Sequence, residues 1–231
     1  MDRVPPKGVM KSRYEDLYDY DTLRNFQEAT AFIVRIDEPF VVLGGSQPDD
    51  VLRPDIDDFH PVRRRRGGGG VVLLQPDDLW IDWWIPAADP RVSDDVRRNA
   101  LLPGEWWYRA MVNFLPTAPA VVGDGVSGPK ELRTACFATS GPGELFYEGR
   151  KLVGVTQWHV REGIFLSTLL PARSIAALAN LLTECPEGMN EALEAVLTLD
   201  SLNLMPEAEA IVDRVLGASA VQHRRNLMLL A

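Results

Sequence analysis

The run LWIDWWI at 79–85 sets the first condition on the fold, because Asp82 is its only charge among six apolar residues. Such a run is either buried on both faces or packed under another element. A chain of 231 residues is long enough for one sizeable domain to supply that cover. Other β-rich runs come in pairs. FIVRI (32–36) and FVVLG (40–44) flank DEP, VVLL (71–74) and the tryptophan run flank QPDD, and ACFAT (135–139) and ELFYE (144–148) flank SGPG. Two such runs around a Pro- or Gly-containing turn predict a hairpin, so three hairpins are expected. GRKLVGVTQWHV (149–160) and GIFLSTLL (163–170) continue the third.

Helical spacing appears elsewhere. Leu23 and Phe26 follow a capping Asp21, and Ser93-Asp94-Asp95 precedes Trp106/Trp107, Ala110/Met111 and Phe114/Leu115. Toward the end, Ser174 caps IAALANLL, ALEAVLTL follows, and Pro206 opens PEAEAIVDRVL, with Gly217 as its stop. There is no βαβ rhythm. The order predicts an α+β fold, with mixed or antiparallel sheets packed against helices. Residues 1–20 are expected to be disordered or loosely docked, and 21–231 to form one domain.

Charge and composition exclude several functions. Acidic residues outnumber basic ones by 33 to 24, a net charge of −9, which argues against a general nucleic-acid binder. No apolar stretch is long enough to span a membrane, and the polar N-terminus lacks a secretory apolar core, so a cytoplasmic location is expected. Two cysteines and three scattered histidines suggest neither a disulfide framework nor a structural metal.

Two segments carry candidate chemistry. RRRRGGGG (63–70) concentrates positive charge before glycines whose amides can approach an anion closely. It lacks the lysine and hydroxyl of a Walker A loop, and a solvated basic loop is the plain alternative. In GRKLVG (149–154), a glycine turn puts Arg150 and Lys151 at a strand start. There Lys151 either grips a carbonyl or phosphate oxygen or is a surface charge. Only four of the 24 basic residues are lysine, so the arginine this chain otherwise favours was not taken at position 151.

Taken together, the chain resembles the lipoate-protein ligase A family within the biotin and lipoate protein ligase superfamily. The matching motifs are Arg63-Arg64-Arg65-Arg66-Gly67-Gly68-Gly69-Gly70-Val71 and Gly149-Arg150-Lys151-Leu152-Val153-Gly154. PFVVLGGSQ (39–47) is similar to the family's strand and G-x-x-Q turn, and GIFLSTLL to a later strand. The resemblance runs from about Asp21 to Leu182 and implies the catalytic-domain fold of that superfamily. It implies an enzyme that uses ATP with Mg2+ to activate lipoate as an adenylate and passes the acyl group to a lysine of a lipoyl-domain acceptor.

On this reading Arg63, Arg64, Gly67, Gly68, Gly69, Gly70, Val71, Gly149, Arg150 and Gly154 bind substrate or adenylate. Lys151 binds the acyl carbonyl and phosphate oxygens, a guanidinium does not replace it, and removing it leaves stability unchanged. Trp83 or Trp84 could wall the acyl channel; otherwise they are core. Cys136 adds an alternative. ACFA before Lys151 resembles the lipoate-ligase-like octanoyltransferases, in which a cysteine takes the acyl group as a thioester, with an acyl carrier protein as partner and no cofactor. Otherwise Cys136 is a small buried strand residue. Several positions depart from the family pattern: Arg66 replaces a hydroxyl residue, VLL (72–74) replaces an aromatic-His-Asp run, and 165–168 lacks His-Gly. The chain also stops where such ligases carry an accessory domain. That leaves a split ligase with a separate accessory subunit, a transferase, or a non-catalytic acyl binder.

Overall fold

The structure, a computed structural model, describes residues 12–123 and 125–225. Along the chain come α1 (Tyr20–Leu23), β1 (Thr30–Val34), β2 (Phe40–Leu43), β3 (Val62–Arg64), β4 (Val72–Leu74) and β5 (Leu79–Pro86). Next are α2 (Val96–Met111), β6 (Ala120–Val121), β7 (Leu145–Tyr147), β8 (Arg150–Val160) and β9 (Gly163–Leu170). Then follow α3 (Met189–Glu194), α4 (Ala208–Ser219) and β10 (Gln222–Arg225).

Two sheets form. The larger has the order β10-β1-β5-β9-β8-β7-β6 and is antiparallel except for β1 with β10. The smaller has the order β3-β2-β4. The mixed α+β class expected from the sequence is the one observed.

β5 explains the layering. Ile81, Trp83 and Ile85 pack with Trp106 and Trp107 of α2 and Ile211 and Val215 of α4. Trp80 and Trp84 join the other cluster, with Val41, Leu43 and Leu73 of the small sheet. Every residue from Leu79 to Ile85 is buried, so the run needs both layers.

The three expected hairpins do not form. β1 belongs to the large sheet and β2 to the small one, and the same division separates β4 from β5. Each short turn carries the chain from one layer to the other. Cys136–Ala138 is a 3-10 turn rather than a strand, and β7 pairs with β8 and β6. At the start, Asp19 rather than Asp21 caps α1, its carboxylate accepting from the Thr22 amide at 3.0 Å. Within the expected loose lead-in, residues 1–11 lie outside the described residues. Leu17, Tyr18 and Tyr20 are core side chains, so 12–20 is docked. Ser174 stands just before a 3-10 turn and Pro206 lies within another, and α4 runs past Gly217 to a left-handed Ala220 (φ +50°). No helix among the described residues is long and apolar enough to cross a membrane.

Candidate functional site

An apolar slot opens between the two sheets. Val42, Val72 and Leu74 line it from the small sheet, and Trp80, Gly154 and Leu169 from the large one. It holds about 400 Å³ of space, part of it open to solvent. A Cβ on Gly154 would stand 2.8 Å from the Phe137 ring, so only glycine keeps this stretch clear. Beside the slot lies a wider, more polar cleft of about 880 Å³, bounded by Gly68, Gly69, Gly70, Arg133 and Glu144. Cys136, Val155 and Thr156 border both spaces.

The glycine loop is pinned from several directions. Gly44 lets it come close, because a Cβ there would lie 1.9 Å from the Gly69 carbonyl oxygen. Gln47 of the G-x-x-Q turn accepts from the Gly44 amide at 2.9 Å and donates to the Thr134 carbonyl at 3.0 Å. Thr156 Oγ1 donates to the Gly68 carbonyl at 2.8 Å. The Val71 amide donates to Thr134, and the Val71 carbonyl accepts the Cys136 amide at 3.0 Å. These bonds set the thiol against the loop: a Cβ on Gly69, whose φ is +93°, would stand 3.6 Å from Cys136 Sγ.

The four arginines before the loop have separate partners. Arg63 donates to Glu15 at 2.9 Å. Arg64 is held by Ser12 Oγ, the carbonyls of Gly44 and Gln47, and Asp49. Arg66 pairs with Asp16 at 2.9 Å and lies over the rings of Tyr20 and Trp158. Arg65, 5% exposed, turns inward and donates to the Gly68 and Gly70 carbonyls. Burial pulls its guanidinium down, while attraction from Cys136 and Tyr20 acts the other way. Arg63 and Arg64 therefore brace the loop from behind, through partners outside the cleft.

Lys151 is placed differently from the expectation. A register shift in β7 at Leu145/Phe146 accompanies its burial, as bulges often re-aim a side chain. Its ammonium donates to the carbonyls of Cys136 (2.7 Å) and Thr139 (3.0 Å) and to Glu144 Oε1 (2.5 Å). Three N–H groups meet three acceptors, so this cation is spent on the protein. Glu144, 4% exposed, also accepts from the Gly141 amide, and burial raises its carboxyl even against the pull of Lys151.

The other expected residues divide. Gly68, Gly69, Gly70, Cys136 and Gly154 meet at the slot and cleft, with Gly67 and Val71 fixed just behind. Gly149, at φ +74°, makes the β7–β8 turn, and Arg150 is exposed, donating to the Ala195 carbonyl. Trp83 and Trp84 are fully buried and line neither space; Trp80 is the tryptophan in the slot wall. Sequence reasoning missed Arg65, Arg133, Glu144 and Thr156. Arg65 stood inside a quoted motif, but no local signal shows which of four consecutive arginines turns inward.

The two-sheet arrangement, with a slot between the layers and a glycine loop at its edge, is a fold shared with several solved structures. Among solved structures, the chain superposes on lipoate-protein ligase A bound with ATP, with a TM-score of 0.64 at 14% identity, over 93% of this chain and 83% of that one. It also superposes on protein Ta0514 of T. acidophilum with bound lipoic acid, with a TM-score of 0.65 at 12% identity, over 93% and 83%. A third likeness is to a bi-partite lipoate protein ligase studied with its E2 lipoyl domain from Thermoplasma acidophilum, with a TM-score of 0.62 at 14% identity, over 93% and 81%. No protein-family model and no curated protein sequence matches the chain. At these identities the likeness establishes the fold, and the resemblance read from the motifs holds at that level.

Proposed function

We propose that this protein carries a lipoyl- or octanoyl-type acyl group in the inter-sheet slot and delivers it to a lysine of a lipoyl-domain acceptor, with Cys136 as the carrier thiol. One observation carries the reading: Cys136 stands where the apolar slot meets the polar cleft, so a thioester there would have its chain in the slot and its carbonyl at the junction of the two. Lys151 supports the same choice, because its ammonium holds the carbonyls of Cys136 and Thr139. It thereby shapes the turn that displays the thiol.

The steps balance. The Cys136 thiolate attacks the carbonyl of an acyl thioester such as an acyl carrier protein presents; the new C–S bond forms, the donor's C–S bond breaks, and the donor sulfur takes a proton from solvent. The acceptor's neutral lysine amine then attacks the Cys136 thioester. An amide forms, the Cys136 C–S bond breaks, and the amine's proton is released as the thiol is restored. Among the described residues Glu144 is the single carboxylate lining the cleft, and its oxygens already accept from Lys151 and Gly141. That donor set does not fit a protein-held Mg2+, and no step is routed through one.

The adenylate-forming ligase is the second reading. The size of the cleft, its wall of Gly68–Gly70 and Arg133, and the ATP-bound structural neighbour favour it. One experiment separates the two. A lipoyl domain is weighed after incubation with the protein and either octanoyl-carrier protein alone or lipoate with ATP and Mg2+. Transfer is expected from the thioester without ATP, and it should vanish in Cys136→Ser. Acylation that requires ATP and survives Cys136→Ser would establish the ligase reading instead.

A further inference from the structure

Among the described residues Arg65 is a buried cation with no counter-ion. Arg63, Arg64 and Arg66 each reach a carboxylate, whereas Arg65 forms no ion pair among the described residues. Its Nε and Nη2 groups are spent on the Gly68 and Gly70 carbonyls. Nη1 makes no hydrogen bond among the described residues, yet it is not fully sealed from solvent as Trp83 Nε1 is. Arg65 itself lines the slot and a smaller cavity beside Gly67 and Tyr20. A buried charge without a partner is costly, and a ligand that supplies one recovers that cost on binding.

The position says which part of a ligand Arg65 would meet. A Cβ on Gly69 would stand 3.0 Å from Arg65 Nη2 and 3.6 Å from Cys136 Sγ, so guanidinium and thiol border the same gap. An acyl group bonded to Cys136, or lying in the slot before reaction, brings its carbonyl or carboxylate oxygen into that gap. Resting on the acyl-carrier reading above, we propose that Arg65 is the residue that binds the oxygen of the reacting acyl group. It donates to the thioester carbonyl oxygen in the ground state and to the oxyanion of the tetrahedral intermediate on Cys136, which a carboxylate mimics in charge. Lys151, with its donors occupied, is the positioning residue behind the thiol. Two free N–H groups on one rigid fork suit a single oxygen that gains charge as the thiolate attacks.

The test compares two ligands of equal chain length, octanoate and octanamide, by calorimetry on the full chain. The intact protein is expected to bind octanoate about ten- to a hundredfold more tightly, as hydrogen bonds to a charged partner imply. Arg65→Met should erase that preference while leaving octanamide affinity within about threefold, an outcome that general damage to the slot would not give. Arg65→Lys should retain part of the preference, and thermal melts check that each variant folds. Equal affinity for the two ligands in the intact protein overturns the role of Arg65 while leaving the slot intact, and that result needs no variant. Binding of neither ligand overturns the acyl-slot reading as well.

Discussion

Lys151 was the residue the sequence marked most strongly, and its setting changes what its removal should do. A buried ammonium paired with a buried carboxylate leaves an uncompensated charge when either partner is cut back. Lys151→Met is therefore expected to cost about 3–5 kcal/mol of folding stability in urea unfolding, in place of the unchanged stability expected of a substrate-binding lysine. The double variant Lys151→Met/Glu144→Leu should recover most of that loss. If Lys151→Met alone unfolds at the urea concentration of the parent chain, the ion pair does not hold the 136–144 segment. GRKLVG was legible as special, but not the direction of its lysine. That direction goes with the β7 register shift, which no spacing within 149–154 encodes. Cys136 was legible as a candidate. What could not be read was its company, since Arg65, Thr156 and Gly69 reach it only through the packing of two sheets.

At the scale of elements, β5 was read best and the hairpins worst. Burial on both faces follows from composition within one strand, whereas a hairpin requires knowing the partner. DEP and QPDD look like hairpin turns because both flanks are β-rich, and the same pattern serves a chain stepping between layers. β5 also carries a testable charge. Asp82 is fully buried and accepts from Tyr18 OH at 2.5 Å and Trp80 Nε1 at 2.7 Å, and burial lifts its carboxyl to about 7. The native state keeps this proton up to about pH 7, whereas the unfolded chain gives it up near the usual value of about 4. The stability due to the neutral carboxyl is thus complete below about pH 4 and is lost as pH rises toward 7. Asp78, also lifted by burial to about 7, acts in the same direction. Thermal unfolding of Asp82→Asn should show a smaller drop in Tm between pH 5 and pH 8 than the parent chain. An unchanged drop would mean that Asp82 is already ionised in the native state at pH 5.

For the whole molecule, the site is a product of layering. Helices α2 and α4 cover one face of the large sheet, the small sheet covers the other, and the slot is the unfilled part of the second interface. The motifs sit far apart in sequence, at 39–47, 63–71, 136 and 149–154, and converge because β2, β3 and β8 place their ends around that interface. Their order along the chain was readable; their convergence required the sheet order. The account stands on an acyl group resting on Cys136 with its chain in the slot, and the mass of the intact protein reports this directly. After brief exposure to octanoyl-carrier protein without ATP, the chain should gain one octanoyl group, mapped to Cys136 by peptide analysis and discharged when a lipoyl domain is added. An unmodified mass under these conditions, or an adduct that persists in Cys136→Ser, would contradict it.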